Sequence, residues 1–236
     1  MDVDTRHQFH GDLQELEQLT MGGLDMGMEQ LQRALEAVNH REVSLAERVL
    51  ADDDRIDRRY LEVHQAVLTL LATQQPVAGD LRLVAALLHI VRCVERMGDQ
   101  CVDIAKLVPL CGRDLPTDET MLAAIERMGR LAGAEVAQTK ETFRLRDVEL
   151  AEDLVLRDAE VDRLNREVFR RAVEIGGDVE MREWAMSMVL VARALERIGD
   201  NAVDIAEQTV FLISGLFRQL ADESHPNLEG SESTPN

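Results

Sequence analysis

One fifteen-residue pattern occurs twice in this chain, and that repetition limits the fold more than any other feature. Arg92-Cys-Val-Glu95-Arg-Met-Gly-Asp99-Gln-Cys-Val-Asp103-Ile-Ala-Lys106 lies over Arg193-Ala-Leu-Glu196-Arg-Ile-Gly-Asp200-Asn-Ala-Val-Asp204-Ile-Ala-Glu207 with nine identities, at an offset of 101 (196 minus 95). A second match sets Asp53-x-x-Ile56-Asp57 against Asp158-x-x-Val161-Asp162 at an offset of 105 (162 minus 57), so a four-residue difference in helix length separates the two registers. Matches at nearly constant spacing imply a duplicated unit whose copies carry the same secondary structure.

The repeated unit reads as helix. Leu83, Leu87, Ile90, Val91 and Val94 recur at the spacing of one buried helical stripe. Only 3% of residues are aromatic against 45% hydrophobic, so Leu, Val, Ile, Ala and Met must fill the core, which suits packed helices better than sheets. Gln74-Gln75-Pro76, Pro109 with Cys111-Gly112, Pro116 and Gly176-Gly177 interrupt the pattern. Six helices are predicted near 5–38, 41–73, 80–108, 118–145, 147–175 and 179–220. Thr5 with Gln8 and Asn39 with Glu42 fit capping boxes, and Gly22-Gly23 and Gly27 predict a kink in the first helix. The expected architecture is all-α: two tandem three-helix bundles, 5–112 and 116–221, followed by a disordered acidic tail, 222–236.

The formal net charge of -19 disfavours nucleic acid and anionic lipid as partners, because both would be repelled. No stretch reaches the apolar length of a membrane span, so a soluble, cytoplasmic protein is expected. Cys93, Cys101 and Cys111 have no CxxC spacing and are expected to be reduced, and Cys93 and Cys101 read as small packing residues because they align with Ala194 and Ala202. His89 aligns with Leu190 and His64 with Phe169, which makes each a lone, partly buried histidine.

The chemistry concentrates in acids. Residues four apart lie on one helical face, so Glu95, Asp99 and Asp103 form a ladder, as do Glu196, Asp200 and Asp204. Like charges at this spacing destabilise a helix unless a cation or solvent compensates them. Asp53 with Asp57 and Asp158 with Asp162 have the same spacing on the preceding helix, and antiparallel packing can set each pair opposite its ladder. Each half then offers oxygen ligands without a matched His or Cys, a set suited to Mg, Mn or Fe, with Zn a further candidate. Gly98 and Gly199 sit inside the ladders, where a bare backbone permits close approach by a neighbour or an ion cluster. Arg92, Arg96, Arg193 and Arg197 flank the ladders and read as intrahelical ion-pair partners of these acids, with binding of phosphate groups or a partner's carboxylates as the alternative.

These residues resemble the PhoU family of phosphate-uptake regulators. The similarity rests on Pro76-Val-Ala-Gly-Asp-Leu-Arg82, on Glu95-Arg-Met-Gly-Asp99 and Glu196-Arg-Ile-Gly-Asp200, and on the Asp-x-x-x-Asp pairs, spanning roughly residues 5 to 220. The resemblance implies paired three-helix bundles, metal clusters on the E(D)xxxD motifs and no catalysis. It further implies negative control of phosphate-starvation signalling through a Pst-type phosphate transporter, its ATPase included, and a sensor histidine kinase. A homodimer is the expected assembly. Two alternatives stand beside it: a carboxylate-bridged dimetal enzyme, which lacks the usual Glu-x-x-His signature, and a metal-free helical adaptor.

Overall fold

The predicted stripes close into helices along almost their whole length. A computed structural model describes residues 3–112, 116–217 and 220. Among them the α-helices are α1 (Val3–His40), α2 (Val43–Thr73), α3 (Gly79–Leu107), α4 (Glu119–Leu145), α5 (Val148–Ile175) and α6 (Val179–Ser214), with a 3-10 turn at Val108–Cys111 and no strand. Short connections make consecutive helices antiparallel, so each half is an up-down-up bundle. The region 222–236, expected to be a disordered tail, lies outside the described residues.

Several boundaries differ from the sequence reading. Asn39 lies in the last turn of α1, so it does not open α2; the N-cap is Glu42, whose side chain makes no capping bond. α1 begins at Val3, upstream of the expected cap at Thr5, and runs unbroken through Gly22, Gly23 and Gly27. A Cβ at Gly22 would stand 3.0 Å from Arg59 Nη1, and one at Gly23 would stand 3.3 Å from Val94 Cγ1, so these glycines admit α2 and α3 at close range. α6 stops at Ser214 rather than near residue 220, because Gly215 turns the chain at a φ of 72° while its N–H still reaches Phe211 O at 2.8 Å.

The four-residue difference between the registers falls at the second corner of each half. α2 has 31 residues and is followed by Gln74–Ala78 with Pro76, whereas α5 has 28 and is followed by Gly176–Asp178. The first corners keep the offset of 105 (146 minus 41): Arg41 and Arg146 both adopt the left-handed conformation, at φ 49° and 55°. Arg146 Nη2 also donates to Glu17 at 2.9 Å, fastening the α4–α5 corner to α1.

The two halves are not separate globules. α3 packs against α6 and α1 against α4, and one apolar cluster runs through both halves, from Leu24, Leu87, Ile90 and Val94 to Met128, Trp184, Leu195 and Ile198. The low aromatic content is used economically: Trp184 and Phe143 are among the largest fully buried side chains. Asp25–Lys140 at 2.6 Å adds an exposed ion pair across the same α1–α4 seam.

Candidate metal centres

In the first half, the α2 pair does face the α3 ladder. The acids act on one another: burial and then its neighbours Asp57 and Asp99 raise the Asp53 pKa, and burial followed by Asp99 raises that of Glu95. Asp99 is raised as well, by burial and then by Asp57 and Asp103. Glu95 divides its carboxylate between two surroundings. Its Oε1 accepts from Arg92 at 2.9 Å, while its Oε2 is buried without a partner. Gln30 on α1 completes the group: its amide nitrogen donates to Asp53 Oδ1 at 3.4 Å and to Val49 O at 3.3 Å, leaving Oε1 buried and unbonded.

The second half repeats this plan with a deeper and more acidic interior. Glu196, Asp162 and Glu135 are buried, the last only 2% exposed. Arg193 pairs with Glu196 Oε1, and Glu196 Oε2 is again a buried oxygen with no partner. Both oxygens of Glu135 are in the same condition. Burial pushes the Glu135 pKa up to about 8, with Asp158, Asp162 and Asp200 adding to the effect. Glu196 is raised to about 7 by burial and then by Asp200. Asp162 has Arg166 at 3.8 Å.

The interior glycines are where the ligand groups converge on helix backbone. A Cβ on Gly98 would lie 3.3 Å from both Asp53 Oδ1 and Gln30 Oε1, and one on Gly199 would lie 2.5 Å from Asp158 Oδ1 and 2.8 Å from Glu135 Oε2. Any larger residue would displace the oxygens.

Gln30 and Glu135 were missed in the sequence reading although the signal was present. They are equivalent at the offset of 105 (135 minus 30) already established by the aspartate pairs, but neither belongs to an i, i+4 acid pair. Of the predicted residues, Glu95, Asp99, Asp53 and Asp57 gather in one cluster and Glu196, Asp200, Asp158 and Asp162 in the other. Asp103 is exposed and bonds Lys106 Nζ at 3.4 Å. Asp204 reaches His89 and Cys93 on α3, so that histidine is not a lone one. The expected Arg–acid pairs form at Arg92 and Arg193.

Unpartnered, desolvated oxygens are costly, at about 1–3 kcal/mol each, and several converging in one place favour a ligand that satisfies them together. A hard cation is such a ligand, and the donor set is all oxygen. The residues therefore fit metal at both clusters: Gln30, Asp53, Asp57, Glu95 and Asp99 would hold it in the first, and Glu135, Asp158, Asp162, Glu196 and Asp200 in the second.

Comparison with known proteins agrees with this duplicated plan. The family model described as "PhoU domain" matches twice, at residues 24–108 and 125–209, once in each half. The crystal structure of PhoU from Pseudomonas aeruginosa superposes with a TM-score of 0.83 at 26% identity, covering 88% of this chain and 100% of that one. The regulatory protein PhoU from Streptococcus pneumoniae gives 0.82 at 25% identity, covering 89% and 99%. A phosphate-specific transport system accessory protein PhoU homolog from Clostridium acetobutylicum is 33% identical over 222 residues, 92% of this chain and all of the relative. A homolog of the same name from Caulobacter vibrioides is 32% identical over 89% of this chain and 93% of its own. The chain belongs to the PhoU family.

Proposed function

We propose that this protein is a non-catalytic regulator of phosphate uptake that carries hard metal cations at its two carboxylate clusters. It restrains phosphate-starvation signalling by contacting a phosphate transporter ATPase and a sensor histidine kinase at the cytoplasmic side of the membrane. The observation that carries the metal assignment is the convergence of partnerless buried oxygens from Gln30, Glu95, Glu135 and Glu196 on two equivalent places. The transport role is supported by relatives named as accessory proteins of a phosphate-specific transport system, matched along nearly their full length. No helix among the described residues is long and apolar enough to cross a membrane, which is compatible with a protein that meets the transporter from outside the bilayer.

Bound metal supplies positive charge that neutralises the clustered carboxylates and ties α1, α2 and α3, or α4, α5 and α6, to one another. The excess of acids elsewhere provides a negative field suited to basic partner surfaces, and such association weakens as salt is added. A homodimer is the proposed assembly.

Two measurements test this reading. Mn²⁺ or Fe³⁺ should raise the melting temperature of the wild-type protein by mass action and do so much less in Asp99→Asn/Asp200→Asn; equal shifts would remove the metal assignment. Deleting the gene should leave phosphate-starvation genes on in phosphate-rich medium, and Glu95→Ala/Glu196→Ala should restore repression poorly. Normal repression in a deletion strain without a paralogue would count against the regulatory role.

A further inference from the structure

His89 and Cys93 lie four residues apart on α3, one above the other on the same face. Across the seam between the halves, Asp204 of α6 meets them, and one ligand atom from each of the three residues lies within 4.8 Å of the others. Cys93 is buried, while His89 and Asp204 are half-buried. We propose that His89, Cys93 and Asp204 form a zinc-type metal site, distinct from the carboxylate clusters, that clamps α3 of the first half to α6 of the second.

The donor set argues for this chemistry. A thiolate and an imidazole with one carboxylate suit Zn²⁺, whereas Mg²⁺, Mn²⁺ and Fe³⁺ fit the all-oxygen clusters. Tetrahedral zinc with bonds of about 2.0 to 2.3 Å places its ligand atoms roughly 3.3 to 3.8 Å apart. Atoms already within 4.8 Å of one another stand no more than about 1.5 Å outside that spacing, a gap on the scale that side-chain rotation can close. Three protein ligands leave a fourth position for water or a ligand from a partner.

The internal repeat provides a control that the molecule itself carries. The equivalent place on the other side of the α3–α6 seam, at the offset of 101, consists of Leu190, Ala194 and Asp103. The acid is present at both places, but the nitrogen and sulfur donors are present at only one. A leucine and an alanine therefore serve the packing at this position in the repeat, and the His–Cys pair is not required by the helix contact. Asp103, without such neighbours, turns to Lys106.

Cobalt(II) added to the full-length reduced protein tests the site, because a bound thiolate gives an intense near-ultraviolet sulfur-to-cobalt charge-transfer band that carboxylate ligands cannot give. One equivalent should develop the band, and Zn²⁺ should displace it. Cys93→Ala should abolish it, and His89→Leu should weaken cobalt binding at least about tenfold, the loss that removing even an outer-shell partner causes. Both variants install the residue that the repeat carries at the matching place, so retained helicity by circular dichroism is expected. Asp99→Asn/Asp200→Asn should keep the band, which separates this site from the carboxylate clusters. Absence of the band in the wild type, or its persistence in Cys93→Ala, would overturn the proposal while leaving the cluster reading intact.

Discussion

Among the described carboxylates, Glu135 departs furthest from an ordinary environment: it is 2% exposed, both its oxygens lack partners, and three aspartates raise its pKa against the smaller opposing effect of Arg157. Its folded pKa, raised to about 8 by burial and then by Asp158, makes the metal-free protein prefer low pH. The folded state holds a proton that the unfolded state releases above its ordinary carboxyl range. The stability linked to Glu135 is therefore full below that range and is lost as pH rises through about 8. In chelator, the melting temperature should fall between pH 6 and pH 8, at up to about 1.4 kcal/mol per pH unit for one proton. Glu135→Gln, which copies the first half's Gln30, should flatten that slope; an unchanged slope would show that other groups set it. A cation held there as proposed would act in the opposite sense, binding more tightly as protons leave. Most of the cluster was legible because i, i+4 acids advertise a shared face, whereas Gln30 and Glu135 are single polar residues on otherwise ordinary helices. Their role follows only from the packing of α1 and α4 over the glycines.

At the level of elements, six helices were readable from their stripes and breaks; apart from the interior glycines of α1, the departures fell at the ends, where a few side-chain bonds decide. The start of α2 illustrates this. Its N-cap Glu42 is equivalent to Asp147, the N-cap of α5, at the offset of 105 (147 minus 42). Asp147 Oδ1 accepts from the backbone N–H groups of Glu149 at 2.9 Å and Leu150 at 3.2 Å, but the longer Glu42 instead accepts from Ser44 Oγ at 2.9 Å. Glu42→Asp should restore the bond found in the second half and stabilise by about 1 kcal/mol. A rise of roughly 2–4 °C in thermal melting is the corresponding outcome, and no rise would mean that the α1–α2 corner cannot present the shorter side chain. The left-handed arginines at the first corners could not be foreseen. Nothing in Arg41 or Arg146 announces a positive φ, and their conformations follow from how each helix pair must turn to meet its core.

For the whole molecule, the repeat predicted two bundles, while the continuity of their interior depended on which faces meet. Because α3 and α6 share one apolar cluster with α1 and α4, the halves should unfold together. A single calorimetric transition with matching van't Hoff enthalpy is expected, and a fragment of residues 1–112 should lack native helicity; two resolved transitions would contradict this. The difference between Gln30 and Glu135 acts at this scale too. A duplicated molecule has interchangeable ends only while its ends are in the same state. If the clusters hold metal as proposed, four acids in one and five in the other would give unequal attraction for a cation, so over an interval of metal concentration one cluster would be filled and the other not. In that interval the two halves would differ in charge, and a partner that distinguishes charged from neutralised surface would dock in only one orientation. On that reading the single carboxylate would give the pair of clusters three distinguishable conditions and lend direction to a chain built from a repeated unit.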